Sequence, residues 1–229
     1  LHILTVLACI IVILTVTFIF NKKSKKTKEN VILVLALLIL FFELSRRAIN
    51  VSRGYTDLHS YLVILLPRPW CAISCWMMIA AAFLKKGWFY NFASMNALLN
   101  ALVFFAYPSV GFNHNVILFE NLYSIATHAL LLISSISLMT LGLTHFKLTK
   151  DNLLKECVGL ILIFAYSFIE IFLLNIEKDP MYFMPGNDVQ AFLSVEYAPY
   201  LFIYIFFLAF YFSLFHIVQY FIDKKRADS

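Results

Sequence analysis

The sequence predicts an all-α membrane protein, a bundle of seven transmembrane helices with its N-terminus outside and its C-terminus in the cytoplasm. Of its 229 residues, 62% are hydrophobic, which is more apolar surface than a soluble domain of this size can bury. Only 14% are charged, and these gather in short clusters between long apolar runs. Such spacing is expected where a charge at the bilayer centre is costly.

Seven apolar runs are long enough to cross about 30 Å of hydrocarbon as helices. Backbone groups in lipid must bond within their own segment, so we expect helices despite the many Phe, Ile and Val residues. Short loops predict a single transmembrane domain over residues 1–229, in a multi-pass protein of the cell membrane. The runs cover residues 1–20, 31–49, 70–84, 88–107, 121–143, 157–176 and 198–222.

The first run is expected to be retained and not cleaved as a signal peptide. Its basic residues follow the apolar stretch instead of preceding it, and no small-residue cleavage site appears. The sequence opens at Leu1 without a methionine, so we expect a short upstream segment.

Basic residues predict the orientation, because cytoplasmic loops carry an excess of Lys and Arg. With Leu1 outside, thirteen of the eighteen basic residues face the cytoplasm, in segments 22–28, 85–86, 147–155 and 224–226. The high pI therefore reflects topology, and no nucleic-acid partner is predicted. The five basic residues on the outer side are Arg46, Arg47, Arg53, Arg68 and Lys178.

The four cysteines lie in or at the end of apolar runs and lack the spacing of a zinc site. A disulfide framework is therefore not expected. No metal and no cofactor is predicted, because the sequence contains no nucleotide-binding or cofactor motif.

Polar and reactive residues from five predicted helices share the outer leaflet. Intramembrane polar groups tend to face a bundle interior or a cavity, so their common depth predicts one site. Asn96 and Asn100, one turn apart in the fourth run, are expected to make packing hydrogen bonds instead. The candidate site residues are His2, Arg46, Arg47, Cys71, His128 and Glu170.

A thiol and an imidazole at similar depth are typical of a nucleophile and its base. His128 would take the proton of Cys71, and a nearby arginine would favour the thiolate. Arg46 or Arg47 would alternatively bind a lipid phosphate. Plainer interpretations stay open: a free cysteine is usually a small buried hydrophobe, a membrane histidine often bonds a neighbouring helix, and arginines anchor interfaces.

Short segments along most of the chain carry a family pattern. Residues 66–71, Leu-Pro-Arg-Pro-Trp-Cys, and residues 126–129, Ala-Thr-His-Ala, stand where a Leu-Pro-x-His-x-Cys and a Ser-His-Gly occur in the family. The pattern resembles the bacterial YwaF-like integral membrane family, which is related to eukaryotic transmembrane protein 164. Further landmarks are residues 1–4 (Leu-His-Ile-Leu), 42–47 (Phe-Glu-Leu-Ser-Arg-Arg), Pro108, 181–184 and 197–200.

The eukaryotic relatives are regarded as phospholipid acyltransferases that use a cysteine and a histidine, so the resemblance implies that Cys71 and His128 are catalytic. The family's histidine two residues before this cysteine is Pro69 here. Proline fits the first turn of a helix, but the replacement removes a group that would assist the chemistry. On this hypothesis the chain is an acyltransferase or hydrolase of membrane lipids, with its substrate bound near His2, Arg46, Arg47 and Glu170.

Two non-enzymatic functions stay open beside this one. The same polar cluster would serve as the binding pocket of a small-solute binding or transport subunit. The chain would also suit a non-catalytic accessory subunit of a larger membrane complex. An autonomous carrier is disfavoured, because the sequence has six glycines and no inverted repeat.

The predicted orientation is testable by cysteine accessibility. In a variant without native cysteines, Lys25→Cys should react with a membrane-impermeant maleimide only after the cells are opened. Tyr182→Cys should react in intact cells, because segment 177–197 is predicted to lie outside. Labelling of position 25 in intact cells would overturn the orientation.

Overall fold

A computed structural model describes residues 1–52, 58–67, 70–107, 112, 119–173 and 181–227. These residues are helical with short connections, and the described part contains no strand. The chain divides into two compact units, Leu1–His145 and Phe146–Ser229. The all-α prediction is confirmed, and the single domain stays a prediction.

The described part of the first unit contains six helices. Three of its connections, those between α2 and α3, between α3 and α4 and between α5 and α6, run through residues outside the described part. The short helix α3 was not predicted, because eight residues are too few to show an apolar run of membrane length. The helices are α1 (His2–Phe20), α2 (Lys25–Ser52), α3 (Leu58–Leu65), α4 (Trp70–Leu84), α5 (Gly87–Ala106) and α6 (Phe119–Thr140).

The second unit contains three described helices, α7 (Lys150–Leu173), α8 (Asp188–Leu193) and α9 (Tyr197–Ala227). The short α8 was not predicted from the sequence. Asn187 caps it, because its side-chain oxygen accepts a hydrogen bond from the backbone N–H of Gln190 at 2.9 Å.

Four described helices are long and apolar enough to cross a membrane: His2–Phe20, Gly87–Ala106, Asn121–Thr140 and Tyr197–Lys225. A fifth span results if His59–Leu65 and Trp70–Leu84, which are bent by 58°, form one crossing. The protein is therefore a multi-pass membrane protein. Its predicted seven crossings and the placement of its termini stay predictions.

Small side chains line the core of the first unit along α4 and α5. Ala93, Ala97 and Ala101 form a fully buried stripe along α5, which packs between α4 and α6. Ala81 and Ala82 of α4 are also fully buried. Small residues allow helix backbones to approach closely, which is how helices gain van der Waals contact in lipid.

Polar side chains add specific connections between the helices of this unit. Asn91 of α5 donates to the backbone carbonyl of His145 at 2.7 Å and accepts from its N–H at 3.0 Å. Asn96 accepts from the indole of Trp70 at 3.1 Å, and Asn100 donates to Ser74 at 2.9 Å. The predicted packing role of Asn96 and Asn100 is confirmed.

In the second unit, three tyrosines of α9 hold the segment that precedes α8. Tyr204 donates to the carbonyl of Met181 at 2.8 Å, Tyr197 donates to Phe183 at 3.1 Å, and Tyr200 donates to Tyr182. Two of the sequence landmarks, residues 181–184 and 197–200, are therefore in direct contact.

A buried histidine connects three parts of the second unit. His216 of α9 donates from Nδ1 to the carbonyl of Phe146 at 3.0 Å, and its Nε2 lies 2.8 Å from the Glu156 carboxylate of α7. Both side chains are nearly inaccessible. The Phe146 carbonyl can only accept a hydrogen bond, so Nδ1 of His216 must carry a proton. The hydrogen bond between Nε2 and Glu156 then requires a second proton, which the imidazole and the carboxylate share.

We predict that Glu156→Ala destabilises the protein by about 3–5 kcal/mol, because it leaves His216 buried without its anionic partner. Thermal unfolding in detergent micelles measures the effect. Asp151→Ala is the matched control on the same helix: it removes an exposed pair with Lys155 and should cost about 0.5 kcal/mol or less. Equal losses of stability in the two variants would contradict a stabilising role for the pair of His216 and Glu156.

Candidate functional site

The carboxylate of Glu43 on α2 is the centre of a buried charge cluster in the first unit. Its side chain is fully inaccessible to solvent. One oxygen accepts a hydrogen bond from Nη1 of Arg47, and the other accepts from the hydroxyl of Tyr123 on α6. Nη2 of Arg46 lies 3.6 Å from the same carboxylate. A carboxylate so surrounded is stable away from water.

The spacing along α2 explains why these charges meet. Glu43, Arg46 and Arg47 stand at positions i, i+3 and i+4, so one face of the helix carries all three. These three charged side chains of α2 therefore interact with one another instead of pointing into lipid.

Four of the five N–H donors of Arg47 form hydrogen bonds within the protein. Its Nε donates to the carbonyl of Leu65 at 3.0 Å and Nη2 donates to Leu66 at 3.4 Å, at the end of α3. Nη1 also donates to the Glu43 carbonyl at 3.1 Å, and the guanidinium lies 5.3 Å from the ring centre of Trp76. Arg47 therefore joins α2 to the unpaired carbonyls at the end of α3.

Arg46 differs from its neighbour. Its guanidinium lies over the Tyr123 ring, 5.0 Å from the ring centre, and its side chain keeps 23% of its surface exposed. Its Nε is buried, and no hydrogen bond joins Arg46 to any residue that the structure describes. Arg46 therefore holds unused donors beside the cluster.

Cys71 lies in the first turn of α4 and is half-buried. Glu43 and Arg46 are within electrostatic range of its thiol. Cys75, one turn further along α4, is buried. Of the two α4 cysteines, only Cys71 is therefore open to a ligand.

His128 of α6 is held in one orientation. Its ring stacks on Phe104 of α5 with centroids 3.9 Å apart, and Nδ1 donates to the carbonyl of Ser124 at 2.7 Å. A neutral ring with its proton on Nδ1 has Nε2 as an acceptor. Glu43 is within electrostatic range of this histidine as well.

The predicted pair of Cys71 and His128 thus has a common neighbour in Glu43. Within the described ranges no hydrogen bond joins the thiol to the imidazole. Their direct cooperation stays a prediction, as do the predicted roles of the other site residues. Pro69, which replaces the family's histidine, lies outside the described residues.

The remaining predicted site residues are His2 in the first unit and Glu170 in the second. His2 donates to the carbonyl of Phe105 at 2.9 Å, so it ties the start of α1 to the end of α5. Its ring meets Phe112 edge-on at 4.9 Å. Glu170 is fully buried on α7 and belongs to the second unit.

Sequence reasoning missed Glu43 and Tyr123. The signal for Glu43 was present, because an acid three and four residues before two arginines in an apolar run predicts an intrahelical ion pair. Tyr123 carried no such signal: its sequence position gives its depth but not the direction of its hydroxyl.

A family model matches residues 1–220, which include every residue of the cluster and of both helical units up to the last turns of α9. The chain belongs to the TMEM164 family. Its predicted relation to transmembrane protein 164 is confirmed, and the narrower bacterial YwaF-like resemblance stays a prediction. No curated protein and no solved structure matches this TMEM164-family chain.

The two arginines should differ in their effect on stability. Arg47→Gln should cost about 3 kcal/mol or more, because Glu43 and the α3 carbonyls lose a buried charged partner. Arg46→Gln, its matched neighbour, should cost about 1 kcal/mol or less, since Arg46 is partly exposed and makes only a loose ion pair. Thermal unfolding in detergent compares them. A larger loss for Arg46→Gln would refute this assignment.

Proposed function

We propose that this chain is a multi-pass enzyme of the cell membrane, an acyltransferase or hydrolase of membrane lipids, with Cys71 as nucleophile and His128 as base. The observation that carries the proposal is the position of the Glu43 cluster. A half-buried thiol and a fixed imidazole each lie within electrostatic range of one buried carboxylate, which Arg46 also faces at 3.6 Å, and these three groups come from three helices of one unit.

Cys71 is the best candidate for the nucleophile among the four cysteines. Cys9 and Cys75 are buried, and Cys157 lies exposed on α7 in the second unit. Cys71 combines partial exposure with a neighbouring cation, Arg46, which favours the thiolate. Its position at the start of α4 also places the thiol near the positive end of the helix dipole.

His128 suits the role of a base through its fixed tautomer. The carbonyl of Ser124 keeps the proton on Nδ1, so Nε2 is the nitrogen that accepts a proton from a thiol or an alcohol. Stacking on Phe104 restricts rotation of the ring. The carboxylate of Glu43 would stabilise the imidazolium formed on proton transfer.

The proposed reaction is redox-neutral and has two halves. Nε2 of His128 takes the thiol proton, and the sulfur attacks the carbonyl carbon of a lipid ester. The C–O bond breaks, the alcohol leaves with the proton returned by His128, and a thioester remains on Cys71. A second lipid hydroxyl or a water molecule then attacks the thioester, and the thiol is released.

A non-catalytic binding subunit is the alternative function. Its supporting observation is Arg46, whose unused donors suit an anionic ligand whether or not a reaction follows. The two functions differ in one respect: only the enzyme forms a covalent acyl-cysteine.

We expect Cys71→Ala to abolish transfer of a clickable acyl chain from a phospholipid to the purified protein, because Cys71 is the one partly exposed cysteine in the unit that holds His128. The measurement is hydroxylamine-sensitive labelling in nanodiscs. His128→Gln should slow labelling by about 10²- to 10⁴-fold, the usual contribution of a positioned base.

Cys75→Ala is the matched control, one helical turn from Cys71, and should keep the labelling of the unaltered protein. Thermal unfolding verifies that each variant is folded. Labelling that survives Cys71→Ala, or an unaltered protein that never labels, would exclude the cysteine mechanism.

A further inference from the structure

The structure separates two adjacent arginines that are alike in sequence. Arg47 donates four hydrogen bonds, to Glu43 and to the end of α3. Arg46 donates none within the described part of the chain, although its Nε is shielded from solvent. A buried donor without an acceptor loses its hydrogen bonds to water and gains none within the protein. Native proteins therefore rarely contain such a donor unless a ligand or a water molecule accepts its hydrogen bond.

The net charge of the Glu43 cluster also points to Arg46 as the residue with an unmet interaction. Among the described residues it contains two guanidinium groups and one carboxylate, so one positive charge is in excess. Both oxygens of Glu43 are already engaged by Arg47 and Tyr123. The excess charge therefore resides on Arg46, in a unit where an uncompensated charge is costly.

The shape of the Arg46 site defines the ligand. The guanidinium carbon of Arg46 lies over the Tyr123 ring, 5.0 Å from the ring centre, and its N–H groups are available as donors because none of them bonds to a described residue. Two parallel in-plane donors match the oxygens of a phosphate, whereas a neutral ester carbonyl supplies only one acceptor. The partial exposure of the side chain provides access.

The geometry points to Arg46 as the residue that binds the phosphate group of an anionic ligand, while Arg47 serves the fold. This inference rests on the proposed function in one respect, that the phosphate belongs to a lipid whose ester lies near Cys71. Arg46 would then select phosphate-bearing lipids over neutral glycerolipids. A free phosphate ion offers the same oxygens and is the second source of this chemistry.

Binding to the full-length Cys71→Ala protein tests the inference without any reaction. Radiolabelled lysophosphatidylcholine and the neutral monoacylglycerol of equal chain length are compared in dodecyl maltoside. We expect tighter binding of the lysophospholipid, and Arg46→Gln should weaken it by roughly 10- to 100-fold while changing monoacylglycerol binding by less than about threefold. Arg46→Lys should restore part of the loss, because it keeps the charge but not the paired donors.

Competition by inorganic phosphate distinguishes a lipid headgroup from a free phosphate ion as the source of the bound phosphate group. Competition only at far higher concentrations than the lysophospholipid supports a lipid headgroup, and competition at equal concentrations supports a free phosphate site at Arg46. Equal binding of the two lipids by the protein that retains Arg46, or lysophospholipid binding unaffected by Arg46→Gln in a folded variant, overturns the inference. Loss of acyl labelling bears on the proposed function alone, since the binding protein lacks Cys71.

Discussion

A carboxylate without water must have its lone pairs occupied, and the first unit is arranged around this requirement at Glu43. Its two oxygens accept from Arg47 of α2 and Tyr123 of α6. Arg47 in turn reaches the carbonyls at the end of α3, so one acid connects three helices. Breaking such a set leaves unpaired charge in a medium that cannot solvate it, which makes the arrangement nearly all-or-none.

The remaining helix contacts follow the rules of a lipid environment, where apolar side chains gain little by leaving lipid for protein. Close packing of alanines on α4 and α5 supplies van der Waals contact. A few polar side chains then fix the positions of neighbouring helices along their axes. Asn91 holds the chain after α6 through both backbone groups of His145, and His2 holds the end of α5.

The cluster gives its two arginines different tasks. Arg47 neutralises Glu43 and stabilises the fold, so the second arginine is released from a structural task. Cys71 and His128 lie within electrostatic range of the same carboxylate. The chemistry proposed for the thiol thus depends on a structural ion pair, whose carboxylate would also stabilise the imidazolium of His128.

In this TMEM164-family chain, apolar runs of membrane length were sufficient to predict the long helices but not the short α3 and α8. The third run, residues 70–84, coincides with α4. The fifth run was predicted to reach residue 143, but α6 ends at Thr140. Gly142 takes a positive φ of 70° there, and the N–H of Leu143 bonds back to the Leu138 carbonyl at 3.0 Å.

The helices, the apolar surface and the depth of the polar residues follow from the sequence alone, because lipid permits few alternatives for a long apolar run. Arg46 and Arg47 were predicted in this way to lie together in the outer leaflet. Only the tertiary structure showed that Arg47 bonds to Glu43 and to the end of α3, that Arg46 makes no hydrogen bond within the described part of the chain, and that Tyr123 donates to Glu43. Sequence position gives the height of a residue along its helix, but side-chain contacts depend on how neighbouring helices are rotated about their axes, and packing across the unit sets that rotation.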